Sequence, residues 1–569
     1  MLNGLLTSLA RSVAIPYYAR RFERFEKTLY GARDAQQRWL LERVALCRET
    51  RFGRAHHFSE IRTMADFRQR VPIADYDDMA PYINAVARGE LEALFPPSER
   101  LLRFTITTGT TGVPKLNPVT ATWLRDYCRA WDMWSVKLVL DHPEIVGKKV
   151  FQVVGTWEMG HTPSGLPISM VSALAARHAS YIARRFYALP HLVSAIPDPT
   201  AKYYTMLRLT VAESIGLLVA INPGSLLRLA EVGHAHRERL VRDIHDGTLR
   251  ADFDIPAPIR RQLDSRIRRP APEQARRLER LIEQSGTFYP KDYWPQTVIG
   301  CWLGGTVGYQ SRYLAERYGH PRLRDLGLVS SEGRHTLPFD DDCPAGVLAA
   351  TSNFYEFIPL ADRDQNQPTA WEACELQEGQ DYSLVMTTAA GYYRYRIGDI
   401  VRCRGFVGDT PLIEFIQKES RCGDLEGEKL TEHQFLQAAS DAAHTLGIGL
   451  NYVTAVPRRA GRELPHYVIL VEKSTVGDAA GARRFGELID EQLCAVNFLY
   501  RARRREQVLS PPQIWVLPDG SWTAYIAGEI ARRGTGEVQY KHPGLVPDSM
   551  FLEQFTPVEI VTAQARAAA

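Results

Sequence analysis

The sequence has no cysteines in spacings that carry chemistry, and this excludes two common kinds of site. None of the eight cysteines forms a CxxC pair, which argues against zinc and thioredoxin-type sites. Scattered thiols are typical of reduced core residues in a cytosolic protein, so we expect a cytoplasmic location. No segment approaches the ~20 consecutive apolar residues that a membrane-spanning helix needs.

The amino-terminal segment lacks the features of a secretory signal. It is amphipathic and has no acidic residue before Glu23, but it has no continuous apolar region and no clear cleavage site. We expect this segment to form a helix that packs on the body of the protein. A peripheral contact with a membrane surface is the alternative.

The sequence also has no excess of charge of either sign. Its 69 Lys and Arg residues are balanced by 66 Asp and Glu residues, for a net charge of +3, which gives no reason to expect binding to nucleic acid. The arginine-rich stretch at 266–284 alternates in sign, as is typical of a solvated helix face. Hydrophobic residues make up 45% and charged residues 24%, the usual proportions of a globular protein.

Length and apolar pattern together predict an α/β protein of two domains. A chain of 569 residues exceeds what one hydrophobic core usually supports. Helical segments alternate with short β-branched runs, as in proteins whose sheets are flanked by helices. A charged, glycine-containing stretch precedes Thr431, a plausible helix N-cap. We predict a large N-terminal domain (1–420), a hinge (421–430) and a small C-terminal α+β domain (431–569). The runs predicted as strands are 148–155, 295–305, 346–360, 381–390, 399–406, 410–417, 466–473 and 512–517.

The stretch RFTITTGTTGVPKLNPVT, residues 103–120, has the composition of a phosphate-binding loop. Glycine lets a backbone approach a ligand closely, successive N–H groups form an anion-binding nest, and Lys115 adds a mobile positive charge. The run LLRFTI, from Leu101, alternates like a strand. The stretch is not a Walker loop, because Gly112 is followed by Val-Pro rather than by Lys and a hydroxyl residue. An ordinary polar hairpin is the alternative.

Two acidic residues lie beside strand-like runs. Glu332, in DLGLVSSEGR (325–334), could hold Mg²⁺ against phosphate oxygens, or it could belong to the box that starts a helix. Asp399 follows Gly398, where we expect a turn. Its carboxylate could accept two hydrogen bonds from a sugar diol, or it could form a simple Asx-type turn. Neither motif decides between these interpretations by itself.

Taken in order, the motifs resemble those of the GH3 acyl-acid amido synthetases, a branch of the adenylate-forming enzymes. The resemblance covers most of the chain, and no single motif in it is specific; the order of the series is. The series consists of DFRQRVPIADYDDMAPYINAVARGE, the threonine-glycine loop, HTPSGLP, YWPQTVIGCWLGG, SSEGR, NFYEFIP, GYYRYRIGD, GEKLTE and GEVQYKHPGLVP.

The resemblance implies an adenylate-forming N-terminal domain, a mobile C-terminal domain and roles for individual residues. It implies that Ser331, Glu332 and Asp399 contact ATP, with Glu332 at Mg²⁺ and Asp399 at the ribose hydroxyls. Two catalytic lysines are implied: Lys429 at the hinge, and Lys541 reaching the active site from the C-terminal domain. The residues implied to cradle the phosphates are Thr107, Thr108, Gly109, Thr110, Thr111, Gly112 and Lys115.

The sequence departs from the family pattern at two places. Four residues before Glu332 the family usually has a tyrosine that can pack on adenine, and this chain has Leu328, so that contact would be aliphatic or come from elsewhere. The loop reads Gly-Val-Pro-Lys, which is closer to general adenylate-forming ligases than to plant members. The second departure bears on the acceptor of the acyl group rather than on adenylation.

The function implied is that of an ATP-dependent ligase, which adenylates a carboxylic acid and transfers the acyl group to an amino acid or another amine. The alternatives are an acyl-CoA ligase, in which a thiol attacks, and a non-catalytic nucleotide-binding module. We expect ATP and Mg²⁺ as cofactors and a small-molecule acid and amine as substrates. We expect no nucleic-acid partner, no membrane span and a monomer.

The helix predicted over 120–138 bears Trp131 and Trp134 one turn apart on one face. In the family this helix borders the acid-binding site, so both tryptophans, together with Thr162 of HTPSGLP, are candidate contacts of the acyl substrate. Two indole rings would form a broad apolar wall suited to a bulky or aromatic acid. Packing of both rings in the core is the alternative.

The loop interpretation predicts a selective loss of activity. Replacing Thr108 and Thr111 by alanine removes hydroxyl donors without changing the charge or the strand pattern. We expect acid-dependent release of pyrophosphate from ATP to fall while the melting temperature stays within a few degrees. Unchanged pyrophosphate release in the double variant would refute the phosphate-cradle role.

Overall fold

The computed structural model describes residues 2–108, 114–155, 157–178, 181–305, 311–365, 367–419, 421–426, 428–459, 464–533 and 540–563. The helices are α1 (Leu2–Glu26), α2 (Ala32–Leu46), α3 (Arg51–Ala55), α4 (Met64–Arg70), α5 (Tyr76–Ala87), α6 (Ala121–Asp141), α7 (Val171–His178), α8 (Tyr181–Phe186), α9 (Pro199–Thr210), α10 (Pro223–Ala235), α11 (Arg237–Asp246), α12 (Ala257–Ile267), α13 (Pro272–Ser285), α14 (Pro290–Tyr293), α15 (Leu314–Tyr318), α16 (Glu432–Leu446), α17 (Lys473–Val476), α18 (Ala479–Val496), α19 (Phe498–Arg505) and α20 (Ser521–Arg533). The strands are β1 (Leu101–Thr108), β2 (Pro114–Thr120), β3 (Lys149–Gln152), β4 (Gly160–His161), β5 (Pro167–Ser169), β6 (Ile215–Val219), β7 (Val298–Cys301), β8 (Arg322–Asp325), β9 (Thr336–Leu337), β10 (Gly346–Leu348), β11 (Phe354–Pro359), β12 (Trp371–Glu372), β13 (Asp381–Thr387), β14 (Tyr395–Val407), β15 (Thr410–Lys418), β16 (Cys422–Gly423), β17 (Leu430–Thr431), β18 (Thr454–Arg458), β19 (His466–Glu472), β20 (Gln513–Leu517) and β21 (Glu559–Thr562).

One layer of the N-terminal region is a parallel sheet in the order β3-β6-β7-β8. Every residue of β6, IGLLV, is buried, which is typical of a strand covered on both faces of a parallel sheet. Leu218 of β6 and Ile299 of β7 share a core with Tyr203 and Leu207 of α9. Helices α9 to α11 and α13 therefore close one side of this sheet.

A larger antiparallel sheet in the order β12-β11-β13-β14-β15-β10-β9 forms the second layer. Its central strands bury Phe357, Leu384 and Val401 against Leu40 of α2. β14 and β15 are long neighbours, and their register places Asp399 opposite Lys418. β15 is the last strand of the large sheet along the chain, and the C-terminal region follows it. Residues near the end of β15 therefore lie between the two.

A third sheet carries the threonine-glycine stretch. Its order is β2-β1-β5-β4, and β1 and β2 form an antiparallel hairpin in which Thr107 pairs with Lys115 and Thr108 with Pro114. The predicted strand from Leu101 is therefore confirmed as β1. Gly109, Thr110, Thr111 and Gly112 lie outside the described residues, as do the side chains of Thr107 and Thr108.

The C-terminal region is a smaller α+β unit. Its sheet has the order β18-β19-β20-β21, and Phe435 of α16 and Ile489 of α18 pack against Ile469 and Ile514. The predicted helix start is confirmed, because Thr431 accepts a hydrogen bond from the Gln434 backbone N–H (3.2 Å) in a capping box. The predicted fold class, a large α/β part followed by a small α+β part, is likewise confirmed.

Two local expectations are wrong. Gly398 and Asp399 do not form a turn. Both lie inside β14, where Gly398 has a φ of +75°. Glu332 does not start a helix. Its segment folds back on itself, with a bridge between Val329 and Arg334. Glycine permits the first conformation without breaking the strand, which is why a glycine-based turn prediction failed there.

No helix among the described residues is both long and apolar enough to cross a bilayer.

Two segments of the motif series, NFYEFIP and GYYRYRIGD, meet in a buried ion pair. Arg394 donates to Glu356 at 3.0 Å and to the carbonyl oxygens of Val71 (2.9 Å) and Arg68 (3.2 Å). Glu356 and Arg394 are 1% and 5% exposed. Arg68 also donates to Glu356 at 2.8 Å. These motif residues therefore hold the large sheet to the α4 segment.

We predict that Arg394→Met lowers the free energy of unfolding by about 3–5 kcal/mol, because it leaves a buried carboxylate with one partner fewer. The measurement is the midpoint of the first urea transition. Arg402→Met is the matched control on β14: its pair with Asp381 (2.6 Å) is partly exposed, so its loss should stay under about 1 kcal/mol. Equal losses in the two variants would contradict the structural role of Arg394.

Candidate active site

A buried carboxylate and a lysine face each other at the ends of β14 and β15. Asp399 is 2% exposed, and its Oδ1 lies 2.5 Å from Lys418 Nζ. Lys418 also donates to the carbonyl oxygen of Ile397 at 3.3 Å. The antiparallel register makes the two residues direct cross-strand partners, so their side chains project from the same face of the sheet.

Glu332 adds a second buried carboxylate to this place. It is 4% exposed, and its turn is held by a hydrogen bond from Ser330 N to the Gly333 carbonyl (2.9 Å) and by Trp123 Nε1, which donates to the Glu332 carbonyl at 2.7 Å. Burial raises the pKa of the Glu332 carboxyl, and the charge of Asp399 raises it further, while Ser330 and Lys418 lower it. Two buried carboxylates that influence each other, with one lysine near both, favour a cation. Ser331, also predicted, is 3% exposed beside Glu332.

Lys541 brings the C-terminal region to the same place. Its ammonium lies 3.4 Å from the centroid of the Trp302 ring, although Lys541 as a whole residue is exposed. Desolvation of the ammonium lowers the pKa of Lys541 to about 7; the charge of Lys418 acts in the same direction and that of Asp399 in the opposite one. The sequence-predicted Lys541 and Asp399 therefore do come together.

A buried carboxylate holds the segment that carries Lys541. Glu432 is 1% exposed and accepts hydrogen bonds from the backbone N–H groups of Gly544 (2.6 Å) and Leu545 (3.3 Å). Both of its oxygens also accept from Arg421 Nη1, at 2.8 and 3.0 Å. Asn222 Nδ2 donates to the Tyr540 carbonyl at 3.1 Å, which attaches the same segment to the N-terminal region.

The second predicted lysine is not part of this group. Lys429 is exposed, has a φ of +45°, and makes no hydrogen bond or ion pair with another residue that the structure describes. Its neighbour Glu428 is fully buried instead, and it accepts from the backbone N–H groups of Leu425 (2.8 Å) and Glu426 (2.7 Å). Glu428 therefore shapes the predicted hinge, and the role of Lys429 stays a prediction.

Lys115 stands at the base of the β1–β2 hairpin. Its ammonium lies 4.8 Å from the centroid of the Tyr76 ring. The Tyr76 hydroxyl donates to the Leu116 carbonyl (3.1 Å) and accepts from the Leu116 N–H (2.9 Å), so α5 fixes the strand that follows the loop. Glu332 acts electrostatically on Tyr76 and contributes to its raised pKa of about 12, whose main cause is burial. The hairpin base and Glu332 are therefore close together.

The residues predicted to contact the acyl substrate differ in exposure. Trp134 is 1% exposed and donates from Nε1 to the Asp325 carbonyl at 2.7 Å, as expected of core packing. Trp131 is half-buried, and its ring meets that of Trp134 edge to face with centroids 5.4 Å apart. The Thr162 hydroxyl accepts from Leu166 N–H at 3.1 Å and so closes the β4–β5 hairpin. Leu328 is 5% exposed in the core.

Three family models together match most of the chain. The GH3 family N-terminal domain matches residues 21–319, the central domain 346–418 and the C-terminal domain 433–550.

The chain belongs to the GH3 family.

Several characterised GH3 proteins are similar to this chain along most of its length. It is 26% identical over 517 residues to the 4-substituted benzoates-glutamate ligase GH3.12 of Arabidopsis thaliana, covering 86% of this chain and 88% of that protein. It is 25% identical over 519 residues to the indole-3-acetic acid-amido synthetase GH3.3 of the same plant, covering 86% and 84%. The solved structure of the GH3.15 acyl acid amido synthetase has the same fold, with a TM-score of 0.83 at 21% identity over 96% of this chain and 97% of that one.

Sequence reasoning missed four residues of the candidate site. Lys418 and Arg421 lie in a charged stretch that reads as a linker, and Glu432 reads as an ordinary first-turn helix acid. Trp302 lies in a glycine-rich stretch with no recognisable spacing. For Lys418 the useful signal was its distance from Asp399 along two adjoining strands, but converting that distance into a contact requires the register of β14 and β15.

The environment of Lys541 predicts proton uptake when ATP binds. With a pKa of about 7, the amine is largely neutral at pH 8, and nearby phosphate anions would raise that pKa and favour the charged form. We therefore expect calorimetry of ATP binding in two buffers of different ionisation enthalpy to show uptake of about one proton at pH 8. Below about pH 6 the lysine is already charged, so this uptake should vanish.

Lys541→Met should abolish the uptake at pH 8. The control is Lys473→Met, which removes an exposed lysine of the same C-terminal region and should leave it unchanged. Uptake of the same size in Lys541→Met would show that another group takes the proton.

Proposed function

We propose that this chain is an AMP-forming ligase, which uses ATP to adenylate a carboxylic acid and then transfers the acyl group to the amine of an amino acid. The observation that carries the proposal is the meeting of Lys541 with the Asp399–Lys418 pair. A cation delivered from one region to buried carboxylates of another suits a site that assembles around a charged substrate. The names of the relatives, a benzoate–glutamate ligase and indole-3-acetic acid-amido synthetases, support the same reaction class.

In this proposal ATP lies between the hairpin loop and the β14–β15 edge. Asp399 accepts hydrogen bonds from the two ribose hydroxyls, since a carboxylate has acceptor capacity for both, and Lys418 pairs with the same carboxylate. The loop 107–112 and Lys115 hold the phosphates. Aliphatic residues near Leu328 pack on the adenine, in place of the tyrosine that the family usually has at that position.

The buried carboxylate of Glu332 suits Mg²⁺. Glu332 makes no ion pair with another described residue, and burial leaves its charge poorly compensated, as its raised pKa indicates. Although no group of three or more His, Cys, Asp or Glu residues in the described part of the chain could hold a metal, Mg²⁺ commonly binds through one carboxylate plus the substrate phosphates. When bound, Mg²⁺ would neutralise phosphate charge during the displacement.

The chemistry proceeds in two steps. The substrate carboxylate attacks the α-phosphorus of ATP, so that an acyl–O–P bond forms and pyrophosphate leaves. The amine then attacks the acyl carbon of the adenylate, AMP leaves, and the amine loses a proton. Lys541 would stabilise negative charge on the α-phosphate in the first step, where a charged donor in a water-poor site has the largest effect. Its position depends on Glu432 and Arg421.

We propose an aromatic or otherwise bulky acid as the acyl substrate. Trp131 is half-buried on α6 and can offer a ring face, whereas the full burial of Trp134 favours a supporting role behind it. The relatives whose names mention a benzoate and an indole acetic acid make aromatic acids the first compounds to test.

The proposed function is tested by incubating the protein with ATP, Mg²⁺, amino acids and a panel of aromatic acids. We expect acid-dependent pyrophosphate release and, by mass spectrometry, an amide product. Glu332→Gln keeps the shape and removes the charge, so release should fall about 100-fold and its dependence on Mg²⁺ concentration should shift. Glu99→Gln, which changes a buried glutamate paired with Arg43, should keep the wild-type Mg²⁺ dependence.

The outcomes separate the alternatives. A thioester that forms only with coenzyme A would replace the amide ligase by an acyl-CoA ligase. ATP binding without pyrophosphate release from any acid would indicate a nucleotide-binding module. Wild-type Mg²⁺ dependence in Glu332→Gln would make Glu332 a structural residue.

A further inference from the structure

The guanidinium of Arg334 is buried, and the part of the chain that the structure describes offers it no hydrogen-bond acceptor. Arg334 is 1% exposed, and its Nε, Nη1 and Nη2 have no hydrogen-bond partner among the described residues. The group lies 3.9 Å from the centroid of the Trp131 ring and 6.0 Å from that of Trp134. A cation–π contact favours the charge, but it leaves all five N–H donors unsatisfied, and buried donors are almost always paired.

Other buried arginines of this protein are held by acceptors. Arg324, also 1% exposed, donates at 2.8 Å to both Asp141 and Asp341, and Arg394 donates to Glu356 and two carbonyl groups. Asp325, whose charge acts on Arg334, makes no hydrogen bond with the three guanidinium nitrogens. Its two oxygens accept from the backbone N–H groups of Leu303 and Gly327, both at 2.5 Å.

A second unsatisfied donor lies against the first. Trp131 Nε1 is buried and makes no hydrogen bond of standard geometry with the part of the chain that the structure describes; the one hydroxyl near it is that of Tyr127, and part of Trp131 is exposed. The indole and the guanidinium together offer donors and no acceptor. The group that best satisfies a planar fork of donors is a carboxylate or a similar anion. Because the Trp131 ring covers the guanidinium and is itself half-exposed, displacement of this ring would open Arg334 to a ligand.

This anion is not the carboxylate that reacts with ATP. The Arg334 guanidinium lies over the ring of Trp131 on α6 and makes no hydrogen bond with any described residue, whereas Asp399 pairs with Lys418 at the ends of β14 and β15. Arg334 therefore faces helix α6, on the side proposed for the acyl group, and stands apart from the group proposed to hold the nucleotide.

We propose that Arg334 and Trp131 Nε1 bind a second anionic group at the far end of the acyl substrate, so that this enzyme prefers dicarboxylic acids. The inference rests on the proposed function, because it names the substrate class of that same site. The second carboxylate lies against the guanidinium, the body of the acid lies along Trp131, and the first carboxylate reaches the α-phosphate.

The test compares matched acids on matched variants. Pyrophosphate release is measured with benzoate, phenylacetate, benzene-1,3-dicarboxylate, benzene-1,4-dicarboxylate and 4-carboxyphenylacetate. We expect the wild type to favour at least one diacid over its monoacid by about 10- to 100-fold in kcat/KM, the range for hydrogen bonds to charged groups. Arg334→Leu should remove that preference and change kcat/KM for the monoacids by less than about threefold. Arg334→Lys should restore part of it.

Arg324→Leu is the control, since it removes another fully buried guanidinium, one that is already held by Asp141 and Asp341. We expect it to lower the melting temperature and to leave the ratio between diacid and monoacid unchanged. If Arg334→Leu does not fold, Arg334→Lys and the wild type still decide through this ratio.

Two results would overturn the proposal: a wild type with no preference for any diacid, or an Arg334→Leu variant that loses activity on all acids equally. The proposed function is judged separately, by whether the wild type releases pyrophosphate with any acid at all. Without ATP, calorimetric titrations with the same acids report directly on binding, and tighter binding of a diacid that Arg334→Leu abolishes would support the anion site independently of turnover.

Discussion

The buried carboxylate of Glu432 is the interaction on which the assembled site depends. It joins Arg421, at one end of the predicted hinge, to the backbone of Gly544 and Leu545. A carboxylate buried this deeply is stable only when hydrogen-bonded or charged partners compensate its charge. The three segments therefore depend on one another for their positions. Lys541 reaches Trp302 and the Asp399–Lys418 pair because its segment starts from this anchor. The lysine proposed to act on the α-phosphate is thus placed by a residue outside the proposed nucleotide site.

The distribution of charge explains why the site suits a nucleotide triphosphate and an acid. Glu332 and Asp399 are buried close enough to raise each other's energy, while Lys418 and Lys541 lower it from two sides. None of these four is matched as completely as Glu356 is by Arg394 and Arg68. Structural ion pairs and the candidate site therefore differ. In the structural pairs the chain supplies the partners of each charge, whereas in the candidate site some charge is left uncompensated and a ligand could pair with it.

Much of the fold could be predicted from the sequence, because local sequence patterns determine many of its helices and strands. The run predicted over 295–305 contains β7, VIGC, the alternation of LLRFTI lies in β1, and the N-cap predicted at Thr431 precedes α16 directly. The motif series proposed Glu332, Asp399 and Lys541 as site residues, and their roles stay predictions. Lys418, Trp302, Arg421 and Glu432 were not, since each acquires its role from a neighbour distant in sequence. At Gly398 the local pattern was misleading: a turn was predicted, but the residue has a φ of +75° and lies inside β14, which pairs with the strands on both sides.

The pairing of β14 with β15 restricts how the length of this chain can vary. The two strands shift register by one residue between Ile400 and Val401 and by one residue in the opposite sense between Cys403 and Phe406, so the two shifts cancel and Lys418 faces Asp399. Since neighbouring residues of a strand point to opposite faces, losing one paired residue such as Ile413, with the pairing on the hairpin side and both irregularities kept, would turn the lysine away, although every side chain of the site would still be present in the sequence. Between residues 399 and 418, the count of residues therefore matters more than most of their identities, and insertions or deletions there would be tolerated only at the hairpin tip near Gly408.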